Sequence, residues 1–195
     1  NTCINYVKLI NVNGFKFLYE LLSISKGKLK VNEIPLDFKA RKYGSSKLDY
    51  AVIWDFFISA FHTLIKRIIP RRAISFGFVG ATGILVHLIV VYFLLGITNL
   101  TFFQVLPIAG VSAASSNFLI NNLLTFRNSR LEGIELIFGL MKYLLVSSIP
   151  LLANVGLTSS FYQFVTPNKF LSQIAGIIIV FIWNYAASSK FVWKD

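Results

Sequence analysis

A mostly α-helical membrane protein is the fold class this chain predicts, with four transmembrane helices made from a duplicated hairpin. An interfacial amphipathic helix and the edge of a soluble domain precede them. Three observations carry that expectation. The chain is 55% hydrophobic but only 14% charged, with a mean hydropathy of +0.67, whereas a soluble domain carries about a quarter charged residues. Between Arg72 and Arg127 lie 54 residues without a Lys, Arg, Asp or Glu. Finally, Phe76, Val79 and Gly80 return 67 residues later as Tyr143, Val146 and Ser147, and Asn117, Phe118 and Phe126 return as Asn184, Tyr185 and Trp193. Similarity at a fixed period signals one structural unit used twice.

Residues 1–47 read as the C-terminal edge of a soluble domain. Gly14–Ser25 predicts a helix with Phe15, Leu18, Leu21 and Leu22 on one side. Leu29–Phe38 alternates around Val31, Ile34, Leu36 and Phe38 and predicts a half-buried strand, which Pro35 moves to a sheet edge. So short a segment buries too little core to fold alone. With Asn1 in first place and no signal peptide, the chain reads as the C-terminal piece of a longer protein.

Residues 48–72 predict an amphipathic helix lying in the interface. Asp55, Ser59, His62 and Lys66 form one polar stripe, while Trp54, Phe57, Ile58, Phe61, Leu64, Ile65 and Ile68 fill much of the rest. Basic residues on both sides disfavour crossing. Residues 73–195 form the membrane domain. A span needs about 20 apolar residues, which places spans near 74–95, 105–124, 137–161 and 170–189. Pro150, inside the third, is tolerated because neighbouring helices re-satisfy the freed carbonyl.

Basic residues set the orientation. Lys66, Arg67, Arg71 and Arg72 precede the first span, Arg127 and Arg130 join the second to the third, and Lys190 and Lys194 follow the fourth. The two remaining connections hold only Lys169. The expectation is a multi-pass protein of the cell membrane with both termini cytoplasmic. The net charge of +11 does not imply nucleic acid. Thirteen of nineteen Lys and Arg lie between Lys8 and Arg72 and most others flank apolar runs, as beside anionic headgroups. A single cysteine, Cys3, excludes an intrachain disulfide.

The basic segment Arg41-Lys42-Tyr43-Gly44-Ser45-Ser46-Lys47-Leu48 suits a phosphate: it brings cations, hydroxyls and a glycine that lets backbone approach an anion. The plainer reading is a solvated loop that steers the protein onto anionic lipid. Within the spans, Asn117, Asn121, Asn122, Asn154 and Asn184 are candidates for interhelical hydrogen bonds, with Asn117 and Asn184 read as structural glue because the repeat places them symmetrically. His87 reads as a neutral imidazole bonded to a neighbouring helix. No span has a central Asp or Glu, which disfavours an ion-coupled exporter. Gly77, Gly80 and Gly83 are expected to permit close helix packing.

Gly14-Phe15-Lys16 with Glu20, then Glu33-Ile34-Pro35, then Arg41 to Leu48 resemble the C-terminal end of the catalytic domain of polyprenyl-phosphate sugar transferases, the dolichol-phosphate mannose synthase type. That resemblance covers about the first fifty residues. It implies the edge of an α/β GT-A type domain, with Arg41, Ser46 and Lys47 holding a donor or acceptor phosphate. It also implies a polyprenyl or dolichyl phosphate lipid, a nucleotide sugar (GDP-mannose or UDP-glucose) and a divalent metal, Mg or Mn, whose ligands lie upstream of this chain. Asp37, Asp49 and Asp55 do not form a paired acidic motif. Phe76-Gly77-Phe78-Val79-Gly80, Asn117-Phe118, Thr125-Phe126-Arg127, Asn184-Tyr185 and Phe191-Val192-Trp193 resemble the four-helix GtrA-like domains. These occur alone, as proposed flippases or accessory proteins, or fused behind such a transferase. The combined order favours the membrane part of a polyprenyl-phosphate hexosyltransferase, with a non-catalytic flippase or accessory protein as the alternative. Homo-oligomerisation stays open.

Overall fold

The computed structural model describes residues 2–7, 10, 17–36 and 49–194. The chain divides into two units, Asn1–Ile68 and Ile69–Asp195.

In the first unit α1 (Thr2–Val7), α2 (Phe17–Ser25) and α3 (Tyr50–Leu64) follow one another. Asp49 caps α3, its carboxylate accepting from Ala51 N at 3.3 Å. α2 meets the polar side of α3. Glu20 is buried on α2, 3.8 Å from the Arg67 guanidinium. Arg67 donates to Ser23 Oγ at 3.3 Å, and Ser23 donates to Thr63 Oγ1 at 3.3 Å. The Tyr19 and Phe56 rings lie 5.2 Å apart. Beyond α3, Lys66 (φ +55°) and Arg67 (φ +61°) adopt left-handed backbone, at about 1–2 kcal/mol each for residues bearing a Cβ. That turn carries Arg67 back to the buried carboxylate.

Two expectations change here. Residues 30–36 form neither helix nor strand, and Val31, Ile34 and Leu36 are exposed rather than half-buried, while Phe38 lies outside the described residues. A strand needs a neighbour for its backbone groups, Pro35 removes a donor, and no strand is described to pair with. The helix expected over residues 48–72 is shorter. Ser59 is buried within the stripe, and Lys66 lies past the helix end. Ile53, Phe57 and Leu64 remain exposed along one face.

A lipid bilayer offers backbone groups no water, so apolar runs crossing it fold as helices. Four helices of the second unit are long and apolar enough to cross: α4 (Arg71–Ile97), α5 (Phe102–Leu123), α6 (Gly133–Phe164) and α7 (Lys169–Ser188), the last continuing into a π turn, Ser189–Trp193. Large apolar side chains such as Ile84, Leu85, Leu88 and Ile89 of α4 point outward, as lipid-facing residues do. α4 pairs with α5 and α6 with α7, giving two hairpins. The repeat extends to their boundaries. α4 ends at Ile97 and α6 at Phe164, while α5 begins at Phe102 and α7 at Lys169. Their N-caps are the equivalent residues Thr101 and Asn168. Gln104 accepts from Thr101 N at 2.8 Å, and Asn168 accepts from Phe170 N and Leu171 N at 3.0 and 3.1 Å.

The core gathers where α4 and α6 begin and α5 and α7 end. Phe76, Phe118, Phe126, Tyr143, Val192 and Trp193 form one buried cluster. Its contacts obey the repeat. Phe76 lies 6.3 Å from Phe126, as Tyr143 lies 5.8 Å from Trp193. Across the hairpins, Phe76 and Tyr185 are 5.7 Å apart, and Phe118 and Tyr143 are 5.6 Å apart. Phe126 and Trp193, equivalent to each other, stack at 4.2 Å with planes 10° apart. An equivalent pair in mutual contact marks a pseudo-two-fold axis running along the bundle. Removing a large buried aromatic costs about 3–5 kcal/mol. Trp193→Ala is therefore expected to lower the melting temperature in detergent by many degrees, while Tyr92→Ala, 78% exposed on α4, leaves it nearly unchanged. Equal melting shifts for both variants would contradict this core.

Candidate functional site

Within the second unit, the basic residues expected to share a side do so. Arg71 and Arg72 open α4, Arg127 and Arg130 lie in the α5–α6 connection, and Lys190 and Lys194 follow α7, all at the end that holds the aromatic core. Lys169 opens α7 at the opposite end.

Asn122, in the last turn of α5, organises this basic end. It is 3% exposed and uses both sides of its amide. Nδ2 donates to Leu131 O at 3.0 Å, while Oδ1 accepts from Leu131 N at 2.8 Å and from Trp193 Nε1 at 3.0 Å. One side chain thus closes the α5–α6 connection and anchors the chain's C-terminal turn. Nearby, Ser75 Oγ and Thr125 Oγ1 are 2.6 Å apart, tying α4 to the end of α5. Gly139 allows Leu131 to fold over α6, since a Cβ there would overlap Leu131 and approach Phe118.

Asn117 and Asn184 are half-buried in the two hairpins. Asn117 packs against Gly83 of α4, where an added Cβ would fall 2.5 Å from its amide nitrogen. The Oδ1 atoms of both asparagines are buried without a hydrogen bond. One turn further along each helix, Asn121 and its repeat equivalent Ser188 are fully buried, and their side-chain polar atoms are likewise unpartnered. The two hairpins thus carry matching polar groups at i and i+4. Of the three glycines expected to bring helices together, Gly77 meets Phe181 of α7 and Gly83 meets Asn117, whereas Gly80 faces open space. His87 sits half-buried one turn beyond Gly83, farther from the basic end.

Arg41, Ser46 and Lys47 lie outside the described residues, as does the Asn154 side chain. Among the described residues no three His, Cys, Asp or Glu side chains gather as a metal site. Asn122 was legible only as one of five intramembrane asparagines. Its equivalent in the repeat is Ser189, so the symmetry that drew attention to Asn117 and Asn184 passed over it.

Residues 75–193, more than half of the chain, match the family described as GtrA/DPMS, transmembrane domain. The chain belongs to that family. It is also similar to a dolichol-phosphate mannosyltransferase of Pyrococcus furiosus, at 26% identity over 185 residues. The alignment covers 94% of this chain and 51% of that protein, so the chain spans about half the length of its relative. Coverage of 94% carries the similarity well ahead of residue 75, into the segment before the membrane domain.

The Gly83–Asn117 contact yields a double-mutant cycle. Gly83→Ala is expected to destabilise the bundle by about 1–3 kcal/mol through overpacking, and Gly83→Ala combined with Asn117→Ala is expected to recover most of that loss. Additive losses in a detergent melt would show that the two residues do not share this contact.

Proposed function

We propose that the chain is the membrane part of a polyprenyl-phosphate hexosyltransferase, with the basic end of its bundle at the cytoplasmic face. The observation that carries this reading is the reach of the similarity to a dolichol-phosphate mannosyltransferase, which includes the residues ahead of the membrane domain. An oxygen of the lipid phosphate attacks the anomeric carbon of a nucleotide sugar. The bond from that carbon to the nucleoside diphosphate breaks, and the diphosphate leaves as an anion. Arg41 and Lys47, with the Ser46 hydroxyl, hold phosphate oxygens. Positive groups placed where this charge moves lower the barrier. α3 lies in the interface on its exposed Ile53, Phe57 and Leu64 face. Four spans keep the lipid chain in the bilayer while its phosphate meets the donor, which removes an entropic cost of encounter.

The unpartnered polar atoms of Asn117, Asn121, Asn184 and Ser188 favour a second reading. Neutral amides and hydroxyls inside a bundle suit sugar hydroxyls, so in this reading the domain moves or presents a lipid-linked sugar without making it.

Membranes containing the gene product, supplied with labelled GDP-mannose or UDP-glucose and a polyprenyl phosphate, distinguish the two. Transfer predicts a labelled lipid product that falls at least tenfold in Arg41→Ala, and none from the 195 residues alone. No product from either donor favours the accessory reading.

A further inference from the structure

A crevice of about 590 Å³ opens at the basic end beside α6, lined by Arg130, Lys142 and Lys194 together with Phe138, Gly139 and Trp193. Glu135 is also in its wall, and Arg130 pairs with exposed Glu132 at 3.3 Å. With Arg130 paired to Glu132, Lys142 and Lys194 stand against Glu135 and leave the lining net positive beside its apolar residues.

The crevice lies against the second hairpin and the α5–α6 connection. Lys142 and Val192 are the repeat equivalents of Ser75 and Thr125, and in the first hairpin that hydroxyl pair closes the position with its 2.6 Å contact. In the second hairpin Lys142 is exposed and Val192 is buried without a polar side chain, so the position is open. α6 also begins earlier than the repeat requires. Its equivalent of Arg71, where α4 starts, is Phe138, yet α6 starts at Gly133. The additional residues carry Glu135 into the wall.

Backbone geometry also changes here. The π turn Ser189–Trp193 follows α7, and Lys194 after it has φ +53°. Such widened turns and left-handed non-glycine residues cost energy and cluster at functional sites. Asn122 holds Trp193, and with it part of the crevice lining, through the 3.0 Å bond to Nε1.

Lys142 decides the kind of ligand. It stands four residues past Phe138, the equivalent of the Arg71 that opens α4, about 6 Å along the helix at 1.5 Å per residue. A charged side chain at that depth reaches for the interface or a partner rather than hydrocarbon. The cations and the apolar lining residues suit the two parts of a lipid at that level, a charged headgroup and the start of its chains.

We propose that this crevice binds the phosphate headgroup of an anionic membrane lipid. The proposal needs only a membrane-embedded bundle and stands under either functional reading above.

The test uses the full chain in detergent, titrated with dioleoyl phosphatidylglycerol, dioleoyl phosphatidylcholine or inorganic phosphate, with binding read by native mass spectrometry. Wild type is expected to retain phosphatidylglycerol in preference to phosphatidylcholine. Each removed charge is expected to weaken that binding about fivefold, the equivalent of about 1 kcal/mol, so Lys142→Gln weakens it about fivefold and Lys142→Gln with Lys194→Gln more than tenfold. Lys169→Gln removes the same charge at the opposite end and is expected to leave binding within about twofold. Unchanged melting temperatures in phosphatidylcholine confirm that the variants fold. Equal weakening by Lys142→Gln and Lys169→Gln, or no weakening by either, overturns the proposal. Displacement of phosphatidylglycerol by millimolar inorganic phosphate assigns the crevice to a free anion and overturns the lipid.

Discussion

The stacked pair Phe126–Trp193 is the contact on which the rest of the membrane unit depends. The two rings occupy equivalent positions in the two hairpins and meet face to face at 4.2 Å. Aromatic pairs contribute about 0.5–1.5 kcal/mol beyond the area they bury, and this one is surrounded by Phe76, Phe118 and Tyr143 in a single cluster. Hydrophobic exclusion does little to hold helices together inside a lipid solvent, so packing and interhelical hydrogen bonds carry the load. A dense aromatic core at one end supplies the first, and Asn122 supplies the second. The opposite end has capped helix starts at Thr101 and Asn168 and, among the described residues, no member of this core.

Symmetry and its interruptions divide the labour within the domain. Where the hairpins match, they build scaffold: the aromatic contacts, the helix boundaries and the paired N-caps. Where they differ, they build features that serve no symmetric packing purpose. Asn122 has Ser189 as its counterpart and secures the C-terminal turn. Lys142 has Ser75 as its counterpart and borders a crevice. A duplicated scaffold tolerates such departures at one copy because the other still supports its half of the core.

The first unit shows how a buried charge is accommodated near the membrane domain in sequence. Glu20 is almost completely buried, and an uncompensated carboxylate there would be costly. Arg67 approaches it only because the chain leaves α3 through two left-handed residues. With the polar side of α3 facing α2, its apolar residues Ile53, Phe57 and Leu64 are left outward. The arrangement covers the polar side of the helix with protein and leaves its apolar side exposed.

By itself the sequence determined the membrane class, the four helices and the pairing of the hairpins. Long uncharged runs have one backbone solution in hydrocarbon, and a 67-residue echo requires the same solution twice. Loop lysines and arginines likewise announced which helix ends share a side. Tertiary structure alone decided the rest. The strand expected from the alternation of Val31, Ile34 and Leu36 did not form, because a strand is completed by a neighbour and alternation records only one partner's half of the bargain. The roles of Asn122 and Lys142 rest on residues far away in the chain, Trp193 at 71 positions' separation and Lys194 across the crevice. Periodicity reports which side of its own helix a residue occupies, while contacts of that range exist only after the hairpins have packed.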